Sequence, residues 1–270
     1  MIMQRTNDAR NFLVVEGDGD VAIFDRYVAP DRFTVIPANG KKRACDALAL
    51  AFADNFEGVY SILDRDWLEL IPGEMRDPRI VHTDRYDLDV CVFYLPGVYI
   101  SVASSFCVRG GFRVDASGCS ETAIRNLCIA MAFPVGVLRY ISERDGLQLR
   151  MRDFPLHLVV NENDLTVDTD CLVSTTLNRS KVATIEFQSL KDTLLEEMTG
   201  ISDTARYCSG HDIARAFSIL AKQRWSTTIS VDNVERAART AVSWEKFRKL
   251  SVYLDSARWF GGNTALVWIE

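Results

Sequence analysis

Histidine is the scarcest of the metal-binding residue types in this 270-residue chain: only His82, His157 and His211 occur, which argues against a histidine-built metal centre. The seven cysteines (Cys45, Cys91, Cys107, Cys119, Cys128, Cys171, Cys208) are odd in number, scattered, and never form a C-x-x-C pair. That spacing excludes a zinc cage and a disulfide framework, and leaves buried free thiols as the expectation. No G-x-x-x-x-G-K-[ST] loop is present, so hydrolysis of nucleotides by a P-loop is excluded. Basic residues are outnumbered, 31 Lys and Arg against 37 Asp and Glu, giving a net charge of -6. Such a balance argues against passive binding along nucleic acid, which needs a basic face to displace counterions. It leaves room for a carboxylate-rich metal site with local basic patches. No amino-terminal stretch joins a basic start, an apolar run and a small-residue cleavage site. No segment reads as the roughly 20 apolar residues that span a bilayer, and a cytoplasmic protein with no membrane partner is expected. Internal repeats, low-complexity tracts and a clear linker are also lacking.

What the chain does have is acidic residues placed where apolar, strand-like runs stop. Phe12 to Val15 runs into Glu16-Gly17-Asp18-Gly19-Asp20, and Val59 to Leu63 runs into Asp64-Arg65-Asp66. Between them come a helical stretch from Val21 to Val28, a strand from Phe33 to Ile36, a Pro37–Gly40 turn, and a helix from Lys41 to Asn55 striped by Ala44, Ala47, Leu48, Ala51 and Phe52. Arg79 to His82 reads as a fourth strand. Strand and helix alternating at this pace imply an α/β fold with a mostly parallel sheet flanked by helices. Beyond Pro96 the rhythm changes. The expected organisation is a metal-binding core over residues 1–96 and an extension over 97–270 packed on it. The extension comprises a buried helix from Glu121 to Phe133, a β-rich insertion from Gly146 to Asn178, and a helical carboxyl-terminal region. In that region the pattern predicts helices over Ile185–Glu197, His211–Arg224, Val231–Ala241 and Trp244–Trp259.

A carboxylate at the carboxyl end of a parallel strand sits on the ligand-binding edge of an α/β sheet. Asp64 and Asp66 are alternate residues, so in an extended segment their carboxylates share a side, an arrangement that is costly without a cation. Magnesium, a hard cation that takes oxygen ligands, suits them; manganese is the alternative. A third acidic element follows in Thr83-Asp84-Arg85-Tyr86-Asp87-Leu88-Asp89. Each element has a plainer reading: Asp18 or Asp20 as caps of the following helix, and Asp87 or Asp89 as caps of another. Lys41, Lys42 and Arg43 follow Asn39-Gly40 at a helix start and could hold a phosphate or stand solvated. His211 and Asp212 open a helix, where capping competes with a substrate-binding role for His211. Trp244, Phe247, Tyr253, Trp259 and Phe260 suit core packing better than base stacking.

The acid after the first strand together with the D-x-D after the third resembles the Toprim domain of primases, topoisomerases and OLD (overcoming lysogenization defect) nucleases, over roughly residues 10 to 95. On that resemblance Glu16 and Gly17 match the first motif, and Asp64 and Asp66 the D-x-D motif. The longer order E-G-x-x-D, N-G-K-K, L-D-R-D, T-D-R-Y-D-L-D and G-H-D (Gly210-His211-Asp212) is similar to a bacterial Toprim family of phage-defence effectors related to OLD nucleases. The nuclease of the phage anti-restriction-induced defence system is one such effector. The resemblance implies a magnesium-dependent endonuclease that cleaves transfer RNA after release from an ABC-type ATPase partner, and that dimerises. It further implies that Glu16, Asp64 and Asp66 are catalytic and that Glu16, Asp64, Asp66 and Asp87 or Asp89 bind metal. Asp89 departs from the glutamate usual in that family, so Asp87 and Asp89 both stand as candidate ligands, and Glu16 is open to a ligand or a base role. Two other readings compete: a D-x-D glycosyltransferase, which requires no acid at the first strand end, and a non-catalytic Toprim binding module. A D-x-D phosphatase fits less well, because it carries its nucleophile on the first strand.

Overall fold

A computed structural model describes residues 9–73, 76–114, 120–181 and 185–270. The chain forms two compact units, the first from the residues up to Cys91 together with 242–270, and the second from 92–241. The carboxyl-terminal segment thus groups with the first unit, whereas the expected division placed everything after residue 96 in one extension.

The first unit is α/β. Strands β1 (Asn11–Val15), β2 (Phe33–Pro37), β3 (Val59–Leu63) and β4 (Ile80–His82) make one parallel sheet in the order β2-β1-β3-β4. Helix α1 (Asp18–Phe24) follows β1, and α2 (Lys41–Ala53) follows β2. Alternation along the strands sends Phe12, Val14, Val59, Leu63 and Ile80 to one face, where they close a core with Ala44 and Leu48 of α2. On the opposite face the ring of Tyr60 meets Trp259 at 4.9 Å and Phe260 at 5.4 Å, and Phe33 meets Phe260 at 5.9 Å. Phe247 stacks on Tyr27 at 4.6 Å and meets Trp268 edge-on at 4.9 Å. Of the aromatics expected in the core Phe247 is buried, while Trp244, Tyr253, Trp259 and Phe260 are half-buried in ring contacts. The expected Trp244–Trp259 helix is divided. Short helices span Trp244–Phe247 and Ser251–Asp255, with extended backbone at Leu250 between them, and a 3₁₀ turn follows over Ser256–Phe260.

The chain passes to the second unit within α3 (Leu88–Phe93), and that unit is helical: α4 (Val98–Phe106), α5 (Glu121–Arg144), α6 (Thr169–Ser180), α7 (Phe187–Gly200), α8 (Gly210–Trp225) and α9 (Val231–Thr240). The β-rich insertion expected over Gly146–Asn178 is not there. Left-handed residues Gln148, Asp153 and Leu165 interrupt each apolar alternation, one antiparallel bridge links Val160 to Val167, and Asp168 caps α6. Its Oδ1 accepts the N–H groups of Asp170 and Cys171. Helix α5 continues through Pro134 to Arg144, past the expected end at Phe133. The proline removes one helical hydrogen bond, but Val135, Val137, Leu138 and Ile141 beyond it are fully buried, and that burial outweighs the loss. Among the described residues α5 alone is long and apolar enough to cross a membrane, contrary to the sequence expectation, and most of it is buried within the protein. The described cysteines are free thiols, with Cys91, Cys107, Cys128 and Cys208 buried; Cys119 lies outside the described residues.

One glycine in α5 is fixed by close packing. A Cβ at Gly136 would sit 1.8 Å from the Tyr207 carbonyl oxygen, a backbone atom that cannot swing aside. Gly136→Ala is expected to destabilise the protein by about 3 kcal/mol, measured as a lower midpoint in denaturant unfolding.

Candidate active site

The strand order reverses between β1 and β3, since β1 is followed by β2 on one side and β3 lies on the other. Ligands of open α/β sheets bind at the carboxyl ends of such a pair. Glu16 leaves the end of β1 and Asp64 the end of β3, and the two meet: the Asp64 N–H donates to Glu16 Oε1 at 2.9 Å. Gly40, whose φ of 121° and ψ of 148° suit only glycine, turns the chain after β2 so that its N–H donates to the Glu16 carbonyl at 2.8 Å. The asparagine-glycine pair of the motif thus brings the start of α2 to the end of β1.

Asp64 Oδ1 accepts the Leu88 N–H at 3.0 Å, and Thr83, 1% exposed, holds the loop below it, accepting from the Arg65 N–H at 2.9 Å and donating to the Arg85 carbonyl at 2.8 Å. Burial and the charges of Glu16, Asp87, Asp20 and Asp66 push the Asp64 carboxyl well above the usual carboxylate range. Burial pushes Glu16 up to about 7; the Asp64 N–H and Lys41 act against this, and Asp66 and Asp20 add to it.

Asp66 differs from its expected geometry. Its φ of 43° is left-handed, so the D-x-D segment turns rather than running extended, and the two carboxylates take separate partners. Asp66 Oδ2 pairs with Lys41 Nζ at 2.6 Å, and the same ammonium donates to the Asp64 carbonyl at 2.9 Å. Asp87 does two things: its Oδ1 caps α3 by accepting the Val90 N–H at 2.7 Å, and its charge bears on Asp64. Asp89, in the first turn of α3, is not among the main charges acting on Asp64 or Glu16. Lys42 is exposed and pairs with Asp46 at 2.7 Å, and Arg43 is exposed on the same helix.

Two members of the constellation were not anticipated as site residues. Asp20 caps α1 as expected, accepting the Gly17 N–H at 2.9 Å, yet its charge reaches both Glu16 and Asp64. His82 ends β4 with Nδ1 3.4 Å from the Asp64 carbonyl oxygen; its place at the end of an apolar run was the signal for it.

Among the described residues no three His, Cys, Asp or Glu side chains form a ready-made metal cage. The set is a half-buried carboxyl pair, Glu16 and Asp64, with Asp20, Asp66 and Asp87 around it. Magnesium binds through one or two carboxylates and keeps its waters, so such a pair fits it. The mutual repulsion that raises both carboxyls is what a cation would relieve.

His211 lies in the second unit, within an ion-pair network. Its Nδ1 is 2.6 Å from Glu235 Oε1, and its Nε2 is 2.8 Å from Arg215 and 3.3 Å from Asp153 Oδ1. Ser209 caps α8, while Asp212, 1% exposed, pairs with Arg139 at 2.6 Å. The hydrogen bond and charge of Glu235 raise the His211 pKa above its usual 6.5. A raised histidine stabilises the fold fully below about pH 6.5, and that contribution is lost as pH rises through the folded value. The unfolding free energy of His211→Gln is therefore expected to decline less than the parent's across this range, as read by urea unfolding at a series of pH values.

No protein-family model matches the chain, and no curated protein matches it significantly.

Proposed function

We propose that this chain is a magnesium- or manganese-dependent nuclease of the Toprim type, which cleaves transfer RNA in the cytoplasm as the effector of an anti-phage system and is held inactive by an ABC-type ATPase partner until released. The observation that carries the nuclease reading is the carboxyl pair Glu16 and Asp64, joined across adjacent strand ends at the crossover of the sheet. The choice of substrate, the partner and the dimeric active form come from what the resemblance to the Toprim defence effectors implies.

Glu16, Asp64 and Asp87 are the side chains that would hold the cation. A divalent cation bound there would supply charge neutralisation at the phosphate and a lowered pKa for water. Asp64 is fixed through Oδ1 by the Leu88 N–H. Lys41, oriented by Asp66 and the Asp64 carbonyl, carries positive charge beside the phosphate oxygens. The divergence of Asp64 and Asp66 weighs against a D-x-D glycosyltransferase, in which both carboxylates grip one cation.

Labelled transfer RNA, single-stranded DNA and plasmid DNA incubated with purified protein and magnesium, manganese or EDTA test this reading. Cutting of transfer RNA that requires metal is expected; cutting that persists unchanged in EDTA contradicts it.

A further inference from the structure

Two adjoining clefts open beside the acid cluster within the first unit. One, of about 680 Å³, is rimmed by Lys41, Lys42, Arg76 and His82 over a floor that includes Cys45 and Leu63. The other, of about 450 Å³, shares Arg76 and His82 and adds Arg258 over a floor of Leu68 and Ile80. Lys41 and His82 tie the first cleft to the cluster, because the ammonium bonds Asp66 and the imidazole lies against the Asp64 carbonyl. Among the described residues that line the clefts Asp77 is the one carboxylate, and beside the rim Lys42 pairs with the exposed Asp46 at 2.7 Å. Arg79 grips both oxygens of Asp77, at 3.0 and 3.1 Å, and holds its pKa down, so the charge is matched internally. Arg258 comes from the carboxyl-terminal segment, anchored by a hydrogen bond from its guanidinium to the Ile80 carbonyl; a guanidinium has further donors to offer.

We infer that the paired clefts bind two successive nucleotides of an unpaired nucleic-acid strand, Lys42 and Arg76 taking the phosphate next to the acid cluster and Arg76 and Arg258 the following one. An apolar floor beneath a cationic rim, occurring twice in series, matches the alternation of base and phosphate along a strand. Bases can reach such floors only when they are not paired, which selects a loop or single strand over a duplex. In a net acidic protein this cleft supplies the local positive potential that a polyanion needs. The placement beside the acid cluster rests on the nuclease reading, whereas the binding itself does not.

The test is fluorescence anisotropy in EDTA, so that no cutting intervenes, using labelled oligouridylate and oligothymidylate of about 12 nucleotides and a duplex of equal length. Arg76→Gln and Arg258→Gln are each expected to weaken single-strand binding several-fold at moderate salt and to reduce the slope of log affinity against log salt by about 0.7. Arg258→Lys, which keeps the charge, recovers most of that slope, and this separates charge from a folding defect. Lys249→Gln, an exposed cation of the same unit outside both clefts, binds as the parent does, and the duplex binds more weakly than the single strands. Equal binding by the parent and both glutamine variants overturns the inference, as does an equal loss in Lys249→Gln or tighter binding of duplex. A cleft that binds strands in a protein unable to cut with any metal would sink the nuclease reading and leave this one standing.

Discussion

Asp64→Asn is expected to lower metal-dependent cleavage by about a thousandfold, roughly 4 kcal/mol of transition-state stabilisation, without unfolding the protein. The amide keeps an oxygen for the Leu88 N–H and removes the half-buried carboxyl on which the charges of Glu16, Asp87, Asp20 and Asp66 all bear. Loss of activity should therefore accompany equal or higher thermal stability, a combination that a folding defect cannot produce. Asp87→Asn is expected to fall between this variant and the parent. Asp89→Asn should stay within a few-fold of the parent, because Asp89 is not among the main charges on either carboxyl of the pair. Single-turnover cleavage at saturating protein, read beside thermal melts, separates these outcomes.

The second large effect is on stability against pH. In chelator, Glu16 carries a folded pKa of about 7 against an ordinary value of 4.5. A carboxyl whose pKa is raised by folding binds more protons in the native state, so its contribution is most favourable below about pH 4.5 and is lost as pH rises towards 7. The lost amount is on the order of 3 kcal/mol, enough to lower the melting temperature by several degrees. Glu16→Gln, which retains an acceptor for the Asp64 N–H, should flatten this decline. The raised carboxyl of Asp64 and the His211 network contribute declines of the same sign, so Glu16→Gln, Asp64→Asn and His211→Gln assign the parts. A saturating divalent cation should restore much of the stability lost near neutral pH in the parent and little in Glu16→Gln.

The parallel sheet and the convergence of Glu16 with Asp64 were legible because both depend on local signals: apolar runs of strand length and acids at their ends. A crossover between neighbouring strands then joins those ends without further information. Backbone conformation was less legible. The D-x-D reading assumed an extended segment, but the strand ends at Leu63 and the chain turns through a left-handed Asp66. The alternation around Leu147–Met151 and Leu165–Asp168 suggested strands, yet a strand needs a partner, and one bridge is all that forms there. The helix expected to end at Phe133 runs on through Pro134, whose local penalty is offset by burial that only the tertiary structure shows. Arg258 was the least accessible of all. It bonds a carbonyl 178 residues away, and nothing near it in the chain marks it as part of a cleft.

The most direct measurement is calorimetric titration of magnesium, then manganese, into metal-free protein near neutral pH, with Asp64→Asn run in parallel. Saturable uptake by the parent, weakened at least about tenfold in the variant, is the result that a cation-binding carboxyl pair requires. Equal uptake by both proteins, or none by the parent, would contradict the assignment of Glu16 and Asp64 as a metal-dependent catalytic centre.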